Sequence, residues 1–267
     1  MTAPISSSHN PRLARVRGLL ERRKQREEQQ AFVVEGVRLV EEALAAGWQP
    51  ELVLYSSQLS ERGIQTARGF AARGAEVLEI APRLMEGLTD TETPQGLLAV
   101  FPLPKPQLPA RLDFVLIADN LRDPGNLGTL LRSAAAAGAQ AALLSPGTTD
   151  AFAPKVLRAA MGAHFRLPIL RGTWEAIRAL CKQPKDTAAP ALTVFLAEAA
   201  EGAACWDLDL RQPLALMVGS EAEGATDAAM ALADRPITIP MPGASESLNA
   251  AVAASILLFE VVRQRRI

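Results

Sequence analysis

Aromatic side chains are sparse in this chain: 267 residues hold eight Phe, three Trp and one Tyr. A protein that grips nucleic acid by stacking base after base needs a larger aromatic platform, so that mode of binding is not expected. Cysteine is sparser still. Cys181 and Cys205 have neither a close metal-ligand spacing nor the density of a secreted disulfide scaffold, and a reducing cytoplasm is the expected location. Neither His9 nor His164 has a ligand partner at a recognisable spacing, so no metal is expected. Charge of one sign does not dominate. A net charge of −1 and an isoelectric point near 6.2 exclude a surface coated in basic residues, and any nucleic-acid contact has to come from local patches. The longest apolar run, 250–259, is about half of the roughly 20 residues that span a bilayer; it reads as a buried helix. The amino-terminal MTAPISSSHNPRLARVRG lacks an apolar core for a secretory signal, so neither export nor membrane insertion is expected. No GxxxxGK[ST] loop occurs, which removes the P-loop route to nucleoside triphosphate hydrolysis.

What is present is a chain long enough for two domains, with nearly half its residues apolar. The segment FPLPKPQLP, starting at Phe101, carries four prolines, which fix φ and remove backbone donors, and so reads as an extended linker. The expected division is 1–100, a linker at 101–110, and 111–267. In the first part, apolar runs at 32–34, 52–55, 77–80 and 97–101 alternate with helical patterns at 37–46 and 64–72, which predicts a small α/β domain. Ahead of it, residues 12–26 are rich in arginine, with Leu13, Val16, Leu19 and Leu20 at helical spacing: a basic amphipathic helix, either a phosphate clamp or a solvated face. In the second part, strands are expected at 114–118, 141–144, 167–170, 192–196, 214–218 and 237–240, separated mostly by helices. That alternation predicts an α/β domain with a parallel sheet covered on both faces. A long helix over 247–266, capped by a serine, closes the chain.

Three polar stretches interrupt this apolar pattern. The first, DNLRDPGNLGTLLR from Asp119, leaves a strand and enters a helix at the sheet edge where α/β folds place ligands. Asn126 and Arg132 lie within two helical turns and can reach one cavity; alternatively Asn126 caps the helix and Arg132 is solvated. The second, LALMVGSEAEG from Leu214, is a strand running into a glycine turn. Glu221 stands where a dinucleotide fingerprint needs glycine, and a carboxylate there repels phosphate, so a nicotinamide-binding oxidoreductase is disfavoured. The third, ITIPMPGASESLN from Ile237, leads to a helix N-terminus where Ser247 and Asn249 stand beside free backbone N–H groups. Capping by Ser245 or Ser247 accounts for the serines but leaves Asn249 unexplained.

Taken in order, NLRDPGNLGTLLRSA from Asn120, MVGSEAEG from Met217 and ITIPMPGASESLNAAVAASILLFE from Ile237 resemble the SpoU/TrmH family of RNA ribose methyltransferases, of the SPOUT superfamily. HNPRLARVRGLL and FVVEGVRLVEEAL resemble, more loosely, the substrate-binding extension of that family, which is related to a ribosomal-protein-type RNA-binding fold. The resemblance implies a sheet whose C-terminal segment is threaded into a trefoil knot, S-adenosyl-L-methionine as cofactor, methylation of a ribose 2′-hydroxyl in structured RNA, ribosomal rather than transfer RNA, and a homodimer. It implies that Gly219, Ile239 and Leu248 contact the cofactor, and that Asn126, Arg132, Glu221, Ser247 and Asn249 form the polar active-site set. Where the family often has Val-Ser after the Ser-Leu-Asn triplet, this chain has Ala250 and Ala251.

The chemistry leaves one role open. The sulfonium supplies the electrophile, so the protein has to position a weak hydroxyl nucleophile and help remove its proton. The family's proposed base is Arg132, yet a guanidinium has no acceptor site, and holding the neighbouring phosphate is an equally physical role. A catalytically silent RNA-binding protein would not need Asn126, Arg132, Ser247 and Asn249 together.

Overall fold

The computed structural model describes residues 4–89, 94–182, 190–220, 224–243 and 247–266. Contacts divide the chain into two compact units, Met1–Lys105 with Phe152–Phe165, and Pro106–Ala151 with Arg166–Ile267.

The first unit begins with α1 (Pro11–Glu21) and α2 (Arg23–Gln29), followed by β1 (Ala31–Glu35), α3 (Val37–Ala45), β2 (Leu52–Ser56), α4 (Glu61–Ala72), β3 (Glu76–Ile80), α5 (Pro82–Glu86) and β4 (Leu97–Pro102). Its sheet runs β1-β4-β2-β3, with β4 antiparallel to both neighbours and β2 parallel to β3. Alternate residues of each strand enter different cores. Phe32, Val34, Val53, Leu97, Ala99 and Phe101 pack under α3 and α4, while Ala31, Val33, Leu52, Leu54, Leu98 and Val100 pack against Leu13, Val16 and Leu19 of α1. This period-two division is what a strand covered on both faces requires.

Two expectations change here. The single basic helix over 12–26 is broken at Arg22, whose backbone is extended (φ −124°, ψ 119°). The break lets Arg26 fold back: its buried guanidinium donates to the carbonyls of Leu19 (2.5 Å) and Leu20 (3.2 Å), occupying acceptors that the end of α1 leaves open. Secondly, 152–165, drawn into the second domain from its sequence, packs with the first unit. It carries a short helix of its own, α6 (Pro154–Ala160), and Leu157 and Phe165 join the first core. Phe152 lies 4.9 Å from the Phe32 ring, and Trp48 Nε1 donates to the Phe165 carbonyl at 3.1 Å. Burial of these few aromatics holds the excursion in place.

In the second unit, β5 (Phe114–Ala118) leads into α7 (Pro124–Ala137), then β6 (Ala141–Leu144), β7 (Ile169–Arg171), α8 (Trp174–Lys182), β8 (Thr193–Ala197), β9 (Ala203–Ala204), β10 (Leu214–Val218), α9 (Asp227–Met230), β11 (Arg235–Thr238) and α10 (Ala250–Arg265). Every pairing in its sheet is parallel, in the order β7-β6-β5-β10-β8-β11-β9. One face carries Val115, Ile117, Leu143, Val194, Ala215 and Met217 under α8 and α9; on the other, α10 packs on β10 and α7. At the far end of α10, Arg265 pairs with Asp113 at 2.5 Å and stacks on Phe114, tying the last helix to the start of β5.

Candidate active site

Because β8, β10 and β11 are parallel neighbours, their carboxyl ends emerge together. A cavity of about 200 Å³ opens there, walled by Ala197, Val218, Ile239, Met241, Leu248 and Leu257 and by the backbone of Gly219 and Gly224. Gly219, Ile239, Leu248 and Ser247 all line it. Glu221 lies outside the described residues.

The reason for glycine at 219 is internal to the loop. Ser220 and Gly224 exchange backbone hydrogen bonds of 3.2 and 2.9 Å, closing the turn tightly. A Cβ on Gly219 would stand 3.0 Å from both the Gly224 oxygen and the Ala225 nitrogen. A side chain there collides with the returning backbone of its own loop, whatever occupies the cavity.

Beside this cavity two helix entrances meet. Asp123 caps α7 by accepting from the Asn126 N–H at 2.8 Å, with Pro124 in the first turn. The final helix starts at Ala250, later than its serines suggest, and Asn249 is the cap: its Oδ1 accepts from Ala251 (3.0 Å) and Val252 (3.2 Å). The same side chain donates through Nδ2 to Asn126 Oδ1 at 2.9 Å. One amide thus caps the helix through its oxygen and reaches Asn126 through its nitrogen, a span that the shorter serine side chain lacks. Further along, Ser133 and Ser255 meet at 2.7 Å and hold α7 on α10. Arg132 is exposed on α7 and forms no ion pair among the described residues. The structure therefore joins Asn126 to Asn249, places Ser247 in the cavity wall, and leaves Arg132 on the adjacent surface.

Asp119, the first residue of the first polar stretch, received no role from the sequence. It is fully buried at the end of β5. Oδ2 accepts from the Thr226 N–H at 2.8 Å; Oδ1 accepts from the Thr226 hydroxyl at 3.2 Å and the Ser145 hydroxyl at 2.9 Å. Thr226 follows the turn that Gly219 opens, so Asp119 anchors the cavity loop to the neighbouring strand. A carboxylate closing an all-apolar strand was the available signal, since such a group is stable inside only when its lone pairs are satisfied.

The basic segment offers less than its composition promised. Arg12 pairs with Glu76 (2.6 Å), Arg15 with Glu51 (2.5 Å), Arg23 with Glu27 (2.7 Å) and Lys24 with Glu28 (3.7 Å). No helix among the described residues is long and apolar enough to cross a membrane, and no group of three His, Cys, Asp or Glu among them could hold a metal ion.

A parallel sheet with a cavity at the carboxyl ends of its strands and polar helix entrances beside it defines an α/β domain that binds a small ligand next to a polar substrate. The model of the SpoU rRNA Methylase family matches residues 113–259, and that of the MRM3-like substrate binding domain matches residues 10–99. The chain belongs to the SpoU rRNA Methylase family. It is 35% identical to the 23S rRNA (guanosine(2553)-2'-O)-methyltransferase RlmP of Bacillus subtilis, over 91% of this chain and 92% of the relative. Identity to the human protein named rRNA methyltransferase 3, mitochondrial, is 34%, over 96% of this chain and 73% of the relative. The crystal structure of the SpoU methyltransferase AviRb from Streptomyces viridochromogenes in complex with the cofactor AdoMet matches with a TM-score of 0.84 at 30% identity, covering 96% of this chain and 99% of that one.

Proposed function

We propose that this protein transfers the methyl group of S-adenosyl-L-methionine to a ribose 2′-hydroxyl of ribosomal RNA in the cytoplasm, as a homodimer. The observation that carries the reading is the Asn249–Asn126 hydrogen bond beside the cavity at the ends of β8, β10 and β11. It joins a place for a cofactor to a polar surface for an acceptor. The apolar walls of Ile239, Met241, Leu248 and Leu257 suit an adenine ring, while the backbone at Gly219 and Gly224 and the polar side chains of Ser220 and Ser247 suit the rest of the nucleoside. When bound, the cofactor supplies the electrophilic methyl.

The chain's own residues then position the acceptor. Asn126 and Asn249, fixed by their bond and by the N-terminus of α10, orient the ribose hydroxyl together with Ser247. Arg132 is exposed and, like any guanidinium, offers only donors, so it holds the adjacent RNA phosphate rather than accepting the hydroxyl's proton. For Glu221 the family resemblance alone supplies a role, that of ordering the cavity loop. The threaded C-terminal path is supported by the way the chain crosses from β11, outside β8, back to α10 beside β10 and α7. The dimer is supported by Val252, Ile256 and Phe259, which recur at spacings of four and three on α10 with 48, 42 and 49% of their surface exposed. Ribosomal RNA is the favoured substrate because the named relatives are rRNA methyltransferases and the first unit matches a substrate-binding domain of that group.

The test is methyl transfer from labelled cofactor to ribosomal RNA and to transfer RNA from cells lacking the protein, followed by nucleotide mapping. A 2′-O-methylated nucleotide in ribosomal RNA is expected. Label on a base, on transfer RNA alone, or nowhere would overturn the reading.

A further inference from the structure

The cavity wall contains one charged side chain among its described residues. Glu198 is the first residue past β8, and its N–H donates to the Ile237 carbonyl at 2.9 Å, extending the β8–β11 ladder and fixing its backbone. Its side chain is half-buried in the wall and forms no hydrogen bond or ion pair with a described side chain. Burial first, and the like charge of Glu201 second, push the Glu198 carboxyl above its ordinary range. A carboxylate held in a largely apolar wall is costly unless something donates to it, and no described side chain supplies a donor.

We propose that Glu198 accepts hydrogen bonds from the ribose diol of the cofactor's adenosine. This rests on the reading of the cavity as the S-adenosylmethionine site. Two features select the diol among the ligand's donors. The walls around Glu198 are apolar (Ala197, Ala199, Ile237 and Ile239), which fits the nucleoside, and the diol is attached directly to that nucleoside. The ammonium group, by contrast, lies at the far end of the methionyl chain beyond the sulfur. Two vicinal hydroxyls also match two carboxylate oxygens, as acidic residues match ribose at strand ends in dinucleotide-binding folds. Glu198 would then set specificity for a ribonucleoside cofactor while taking no part in the transfer.

The experiment is calorimetric titration of the full-length protein with three ligands: S-adenosylmethionine, 5′-methylthioadenosine, which keeps the diol and lacks the amino acid, and 3′-deoxy-5′-methylthioadenosine, which breaks the diol. Glu198→Gln is expected to weaken the first two by about tenfold to a hundredfold, the range of a hydrogen bond to a charged group, and to leave the already weak deoxy ligand unchanged. Glu198→Ala should behave likewise, and Glu201→Gln, outside the cavity wall, should retain affinity. Because the Glu198 side chain makes no hydrogen bond or ion pair with a described side chain, both variants are expected to fold, with melting curves as the control. Loss of S-adenosylmethionine affinity without loss of methylthioadenosine affinity would assign Glu198 to the ammonium and overturn the proposal, as would unchanged affinity for both. Wild-type protein that binds no S-adenosylmethionine would overturn the cofactor site itself, an outcome distinct from a wild type that binds and a Glu198 variant that binds equally well.

Discussion

Replacing Asp119 by alanine tests whether the cavity loop is held from beneath. The fully buried carboxylate satisfies three donors: the Thr226 N–H, the Thr226 hydroxyl and the Ser145 hydroxyl. In Asp119→Ala all three lose their acceptor. A stranded buried donor costs about 1–3 kcal/mol, and Thr226, being only half-buried, recovers part of its loss through water. The expected destabilisation is therefore about 3–5 kcal/mol, a fall in melting temperature on the order of 10 °C for a protein of this size. Asp119→Asn keeps one acceptor oxygen and turns an amide toward a donor, so about half that loss is expected. Since Thr226 closes the loop that Gly219 opens, S-adenosylmethionine affinity should fall in the same order, alanine more than asparagine. Melting curves and calorimetric titration of the three proteins measure both effects. If Asp119→Ala melts within about 1 °C of wild type and binds the cofactor equally well, the anchoring role is refuted.

Asn249 can be divided into its two functions. Asn249→Asp keeps the oxygen that caps α10 but loses the donor to Asn126, so stability should hold while single-turnover methylation falls; Asn249→Ala should lose both, with about 1 kcal/mol of stability gone. Equal methylation by wild type and the aspartate variant would remove the Asn126 contact from the site. Ile256→Asp places a charge in the exposed stripe of α10 and should shift the mass measured by light scattering from dimer to monomer; a wild type that is already monomeric and active would end that reading. Burial pushes the Cys181 thiol up to about 11, so at pH 8 it should resist alkylation in the folded protein and react in urea. The sign follows from desolvation, which disfavours the thiolate, and rapid native-state labelling of Cys181 detected by mass spectrometry would contradict it.

Much of the second unit was legible before folding was considered. The run Phe114–Ala118 is continuous, apolar and bounded by Asp113 and Asp119, and a strand buried on both faces has that appearance whatever surrounds it. The first polar stretch likewise pointed to a sheet-edge loop, and Asn126, Ser247 and Asn249 were marked as polar groups at helix entrances. Other features depended on contacts between residues far apart in the chain. Serine and asparagine are comparable caps, so local chemistry alone could not choose between Ser247 and Asn249; the choice follows from the reach of Asn249 to Asn126, 123 residues away. Arginine is a good helix former, and nothing near Arg22 announces a break; Arg26 turning back onto the carbonyls of Leu19 and Leu20 makes it favourable. The excursion at 152–165 leaves its own sheet because Phe152 and Phe165 find the aromatic core of Phe32, Trp48 and Phe101 elsewhere. Periodicity reports which face of an element is apolar, and so the sequence by itself determined the elements and the class of sheet. Which partner covers each face, and which buried polar group finds its donor across the fold, is a property of three-dimensional proximity, and only the tertiary structure decided the site that Asp119, Asn126 and Asn249 hold together.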